Sequence, residues 1–245
     1  FSRLQNIAGM EISWSLADLS TSLDLSRGYT DLLGTDGFAH LNRWTDRLKT
    51  QVKADVRPWM NLGIVGSVTR EDFQSDRRSN SFTYSAGPTM EMEIGEHVTL
   101  QSALLYTSVR FSQSRASQSE EELFTGELSL RHDLNRLMDH SLTYRRDLRP
   151  ATDINANTLQ TDQFDYDFVW KSSPQLSFNS GLGLTIGDEE NADEYRLFRF
   201  NNKILYQIDQ HVSFDVGYSL ILRRSDLGEG NYSKNRFNFT IKYNF

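Results

Sequence analysis

Along most of this chain, apolar and polar residues change places at every second position. The closing stretch FNFTIKYNF is the sharpest case: Phe237, Phe239, Ile241, Tyr243 and Phe245 are apolar, and Asn238, Thr240, Lys242 and Asn244 between them are polar. A period of two marks a strand with one greasy face and one wet face. The same alternation runs through Met10, Ile12, Trp14 and Leu16, through Leu62, Ile64 and Val68, and through Phe82, Tyr84, Met90, Met92 and Ile94. It returns in Phe164, Tyr166, Phe168 and Trp170, in Leu176, Phe178, Leu182, Leu184 and Ile186, and in Val212, Phe214, Val216, Tyr218, Leu220 and Leu222. One such strand is ordinary in a half-buried antiparallel sheet. A long series with charges and glycines on the second face suits a membrane-spanning barrel, whose apolar side meets lipid and whose strands are all paired.

Turn-like segments punctuate the series at Ala17-Asp18-Leu19, Arg57-Pro58-Trp59-Met60, Gly95-Glu96-His97, Leu134 to Asp139, Ser172-Ser173-Pro174-Gln175 and Asp209-Gln210-His211. Their centres lie roughly 40 residues apart, room for two strands and a longer loop. Longer polar segments lie between them, around 30–42, 71–80, 112–120, 150–157, 188–194 and 225–231. Such a period also suits a solenoid or propeller, but no motif repeats with it. The pattern predicts an all-β, transmembrane, antiparallel up-and-down β-barrel as one domain over residues 1–245, with short periplasmic turns and longer extracellular loops. Counting gives about thirteen candidate strands, the last running down to a periplasmic terminus. Because single-chain bacterial barrels have even strand numbers, about fourteen strands are expected, with twelve as the alternative. Either a strand precedes Phe1, or residues 1–33 hold one strand fewer than their pattern shows.

Composition narrows the picture. No window approaches the ~18 apolar residues of a membrane helix. The chain has no Cys, which removes disulfides and thiolate chemistry, and a formal charge of −7, which argues against a nucleic-acid partner. It starts at Phe1 without a signal peptide, as a processed or partial chain would.

Trp14, Trp59, Trp170, Tyr206, Tyr243 and Phe245 fall near the short turns or the terminus, where aromatic rings suit a headgroup layer. Arginines gather at the opposite strand ends: Arg27, Arg70, Arg110, Arg145, Arg146, Arg223 and Arg224. A ring of guanidinium forks could hold lipopolysaccharide phosphates, or could pair with the acidic loops. The inward face is expected to carry Glu11, Lys49, Gln51, Lys53, Asp55, Glu91, Glu93, Glu127, Arg131, Asp165, Asp167, Arg199, Lys203, Asp215 and Lys242. Water or mutual pairing must meet these charges, so the lumen is either a narrow channel, occluded or open, or filled by its own side chains. No inward basic ladder stands out to assign an ion preference. Among the five histidines, His132 with Glu127 and Arg131 is the least weak catalytic candidate, and no phosphate loop or metal spacing accompanies it, so no cofactor is expected.

The hairpin rhythm and terminal strand resemble those of bacterial outer-membrane β-barrel proteins. That resemblance implies an outer-membrane location among lipid and lipopolysaccharide, with Tyr243 and Phe245 as the signal read by the barrel assembly machinery. The stretch 212–245 also resembles the end of barrels linked to exopolysaccharide export and exosortase systems, through Tyr218, Leu220, Arg223, Arg224, Tyr232, Asn235 and Arg236. This second resemblance implies a passive conduit for polysaccharide or other polar solutes. Two other classes stay open: a sheath barrel around a periplasmic or lumenal partner, such as a multihaem electron carrier or secretion subunit, and an outer-membrane hydrolase.

Overall fold

The computed structural model describes residues 2–33, 42–75, 79–112, 120–151, 158–189, 193–227 and 230–243. Its strands are β1 (Ser2–Leu16), β2 (Leu19–Leu33), β3 (Arg43–Arg57), β4 (Met60–Phe73), β5 (Ser81–Ile94), β6 (Val98–Phe111) and β7 (Glu120–Asn135). They continue as β8 (Met138–Pro150), β9 (Thr158–Lys171), β10 (Leu176–Glu189), β11 (Glu194–Gln207), β12 (Val212–Ser225) and β13 (Tyr232–Tyr243). Each pairs antiparallel with the next, in chain order, in one sheet. The short connections, at 17–18, 58–59, 95–97, 136–137, 172–175 and 208–211, lie along one rim, where the punctuation of the sequence puts them. The longer connections lie along the other.

The described residues form thirteen strands, the number the turn signals count out; the even total of fourteen or twelve expected for a closed single-chain barrel is not met among them. Leu16 pairs with Leu19 and Ser2 with Leu33, so the first two strands are real over their full length. The fourteenth came from the even-number rule, with no residues behind it. Among the described residues β1 pairs with β2 alone and β13 with β12 alone, so these two strands are the edges of the sheet. Both run from the long-loop rim to the short-turn rim.

Directly opposed residues share a face, so the register can be read across the sheet in rows. One row runs Leu25, Leu48, Val68, Tyr84; the next runs Asp24, Lys49, Ser67, Ser85, Thr107. Alternation along each strand thus becomes two chemically distinct surfaces. The apolar surface is not covered by protein: Ile64 is 68% exposed and Phe237 79%. Aromatic pairs line it at two heights. Trp170 stacks on Phe178 (5.2 Å) and Tyr206 meets Phe214 (5.2 Å) near the short turns. Tyr29–Trp44 (4.7 Å), Tyr144–Phe164 (4.8 Å) and Tyr218–Phe237 (4.8 Å) form the upper series. Along β9, Trp170 and Phe164 are six residues or about 20 Å apart, a span of apolar side chains between two aromatic girdles.

The polar face is concave where β4 to β7 curl. Small residues permit that curl. At Gly87 and Gly126 an added Cβ would run into the backbone carbonyls of Leu104 and Ala103. Pro88 has no N–H to give, and the β5–β6 pairing skips Gly87 and Pro88. A second irregularity lies near the long-loop rim. The β7–β8 ladder ends at Gly126↔Arg146, so β7 above that point pairs only with β6, and Asp147–Pro150 only with β9. The most buried side chains are found here. Val109 is fully covered, Leu148 and Leu159 nearly so, and the Thr158 hydroxyl donates to Glu121.

Candidate functional site: the polar face and its rim

The register places every expected inward residue on the polar face. One row alone runs Asp55, Asn61, Glu91, Gln101, Ser129, Thr143, Asp165, Gly183, Arg199, Ile221 and Lys234 across eleven strands. Glu11 shares another row of this face with Asp24 and Lys49; Glu93, Glu127, Arg131, Asp167, Lys203, Asp215 and Lys242 occupy rows on the same side.

Glycines decide how these charges meet. Arg199 is opposite Gly183, and Gly183 is opposite Asp165. With no side chain between them, the guanidinium lies across the glycine and reaches the carboxylate at 3.1 Å. A Cβ on Gly183 would stand 2.7 Å from Asp165 Oδ1 and 3.0 Å from Arg199 Nε. Lys53, opposite Gly63, reaches diagonally across β4 to Glu91, one row away, at 3.4 Å. Lys203, opposite Gly217, turns to Asp215 at 3.2 Å, and Arg145 pairs with Glu127 at 2.7 Å. Much of the polar face is therefore neutralised internally, flat against the wall.

Two grooves lie on it. One, of about 490 Å³ between β3 and β8, is lined by Arg47, Lys49, Gln51, Lys53, Glu91 and Glu127 among others. The other, of about 500 Å³ between β9 and β13, is lined by Asn179, Asn201, Lys203, Ser219, Asn238 and Lys242 among others. Amides, hydroxyls and charges in both linings offer hydrogen bonds to polar solutes, beside apolar side chains such as Met90 and Leu105 in the first groove and Phe168 and Val169 in the second. One feature corrects the sequence-based expectation. The polar face of β3 is a basic ladder, because Arg43, Arg47, Lys49 and Lys53 all fall on it. Arg43 pairs with Glu71 and Lys53 with Glu91; Arg47 and Lys49 have no ion pair among the described residues. The signal in the sequence is the even separation of these cations, four, two and four residues, with Thr45 and Gln51 between them on the same face.

The arginines of the long-loop rim divide between the faces. Arg145 and Arg223 lie on the polar face, and Arg110, Arg146 and Arg224 on the apolar one. Four have carboxylate partners: Arg110 with Glu120 at 2.6 Å, Arg145 with Glu127, Arg146 with Asp162 through two bonds of 2.9 and 3.0 Å, and Arg223 with Asp193 at 3.4 Å. Arg224 has none among the described residues, and directly opposite it on the apolar face stands Arg196, which the sequence did not single out.

The structure takes the His132 candidate apart. His132 is on the apolar face, its Nδ1 3.1 Å from His140 Nε2, whereas Glu127 and Arg131 are on the polar face. A one-residue difference in parity puts the sheet between them. Tyr243 ends β13 on the apolar face opposite Val212, and Phe245 lies outside the described residues.

No protein-family model matches this chain, and no curated protein matches it in sequence. Solved structures do match it in shape. The ferric-catecholate import receptor Fiu from E. coli superposes at a TM-score of 0.65 and 9% identity over 98% of this chain and 51% of its own. The copper transporter OprC does so at 0.67 and 12%, over 98% and 51%. The iron transporter FrpB from Neisseria meningitidis gives 0.67 and 10%, over 99% and 49%. At these identities what is shared is the antiparallel up-and-down fold of outer-membrane barrels. The chain spans about half the length of these structures.

Proposed function

We propose that this chain is a wall segment of an outer-membrane transport barrel, with lipid against its apolar face and polar solute passing along its charged face. The observation that carries this reading is the separation of faces across thirteen strands, uncovered apolar residues between aromatic girdles on one side and hydrated ion pairs on the other. The neighbouring structures, transporters and receptors, support it by shape alone. β1 and β13 run the same way, so they cannot zip antiparallel to each other, nor to either edge of a second copy inserted in the same sense. An odd number of oppositely running strands between them completes the barrel. A thirteen-strand arc that superposes on half of larger barrels has the curvature of a wide lumen.

Arg47 and Lys49, without an ion pair among the described residues, line the β3–β8 groove and give passage a preference for anions. Polysaccharide as the solute is the finer form of the reading and rests on the resemblance of 212–245 to export-linked barrels. A sheath around a partner protein is the second reading, favoured by the wide curvature. Single-channel recording of the full-length protein in a planar bilayer tests the proposal. A steady current whose anion preference falls when Arg47 and Lys49 are both changed to Gln is the expected result. A silent membrane at every voltage, with no swelling of liposomes in small sugars, would overturn it and favour the sheath.

A further inference from the structure

We propose that Arg196 and Arg224 form a binding site for the phosphate of an anionic lipid, on the outward face of β11 and β12 at the long-loop rim. The inference rests on the fold, not on the transport reading. Arg196 and Arg224 are directly opposed across the β11–β12 ladder, and both are exposed. Directly opposed residues have Cα atoms roughly 5 Å apart, and like charges so placed repel. Elsewhere on this face each outward arginine near the rim has been given a carboxylate: Arg27 has Asp46, Arg70 has Asp72, Arg110 has Glu120 and Arg146 has Asp162. This pair breaks the rule. Among the described residues neither arginine has an ion pair, although Glu194 and Asp226 lie one row further out.

What surrounds the pair specifies the ligand. The next rows toward the middle of the sheet are Leu184, Phe198 and Leu222, then Leu182, Phe200 and Leu220. They offer an apolar surface for acyl chains directly beneath two guanidinium groups. Each guanidinium presents a planar fork that fits phosphate with two parallel hydrogen bonds, and a doubly charged monoester bridging both relieves their repulsion. A phosphate with acyl chains attached fits both halves of this surface; a free phosphate fits only the upper half. The ligand chemistry is thus a phosphorylated lipid of the outer leaflet, such as lipid A.

The test uses the full-length protein in detergent, titrated with bisphosphorylated lipid A and followed by native mass spectrometry. Changing Arg196 and Arg224 together to Gln lowers lipid A retention by about tenfold or more. Changing Arg110 and Arg146 to Gln, both already held by carboxylates, leaves it within about twofold. The variant with Lys at 196 and 224 keeps part of the affinity, and heat-modifiable gel mobility confirms that each variant is folded. A large excess of inorganic phosphate does not displace the lipid. Equal retention by the Gln pair and the wild type, an equal loss in the Arg110/Arg146 control, or displacement by inorganic phosphate would each overturn the proposal.

Discussion

Consider an arginine placed at the same depth on each face in turn. Leu182 sits midway along β10 on the apolar face, flanked by Tyr166 and Phe200, and is 42% exposed. Asn201, next to Phe200 on β11, points to the other side, between Gly181 and Ser219. If hydrocarbon covers the apolar face, Leu182→Arg forces a guanidinium into lipid near the middle of the strand, at about 2–4 kcal/mol. That is roughly a 30- to 900-fold fall in the folded-to-unfolded ratio. If water covers it, the change is an exposed surface substitution worth within about 0.5 kcal/mol. Asn201→Arg meets water on the polar face, with Asp167 across Gly181 to receive it, and falls within that smaller range in either case. The assay is reversible denaturant unfolding of the full-length protein in phospholipid vesicles, read by tryptophan fluorescence. A loss confined to Leu182→Arg is expected. Equal midpoints for the two variants would refute the assignment of faces.

Three further outcomes are expected, two from the geometry and one from the resemblance of the terminal strand. Gly183→Val drives a branched side chain between Asp165 and Arg199 and separates the ion pair; since the pair is partly exposed, the expected loss is about 1–3 kcal/mol, mostly steric, and Asp165→Asn in the same background adds almost nothing in a double-mutant cycle. Gly87→Ala pushes a Cβ into the Leu104 carbonyl and straightens the β5–β6 curl; the urea midpoint falls, by more than in Gly217→Ala, where the nearest atom is 3.7 Å away. If the terminal aromatics are the recognition signal that the resemblance to outer-membrane barrels implies, removing residues 243–245 slows assembly by the purified assembly machinery while leaving spontaneous folding into detergent unchanged; equal slowing of both would remove that role.

Alternation made most of the fold legible because a sheet with one apolar and one polar face needs only an apolar residue at every second place and turn residues at intervals. Pro58, Gly95 and Pro174 mark turns by their backbone chemistry, so the hairpins could be read from them directly. Parity also sorted the faces, since a side chain's side is fixed once its strand is known. What lay beyond the sequence was pairing between strands. That Arg199 reaches Asp165 over a glycine, or that Arg196 faces Arg224, depends on register across residues 16 to 34 positions apart, and register is set by the whole sheet. The His132 candidate failed for the same reason in reverse, because nearness along the chain stood in for a shared face. Counting the turn signals gives the thirteen strands found; the even-number rule, which describes closed single-chain barrels, added a fourteenth that the described residues do not contain.

Because the chain has no cysteine, single cysteines can be introduced one at a time along β12, from Val212 to Ser225, and labelled with a nitroxide in the full-length protein in bilayers. Collision with oxygen, which concentrates in lipid, and with a water-soluble nickel complex reports what each position touches. The account predicts high oxygen access at Phe214, Val216, Tyr218, Leu220 and Leu222 and high nickel access at Ser213, Gly217, Ser219 and Ile221, with Asp215, covered by its ion pair with Lys203, less accessible to both. Uniform access along the strand, or nickel access at the even positions, would contradict it.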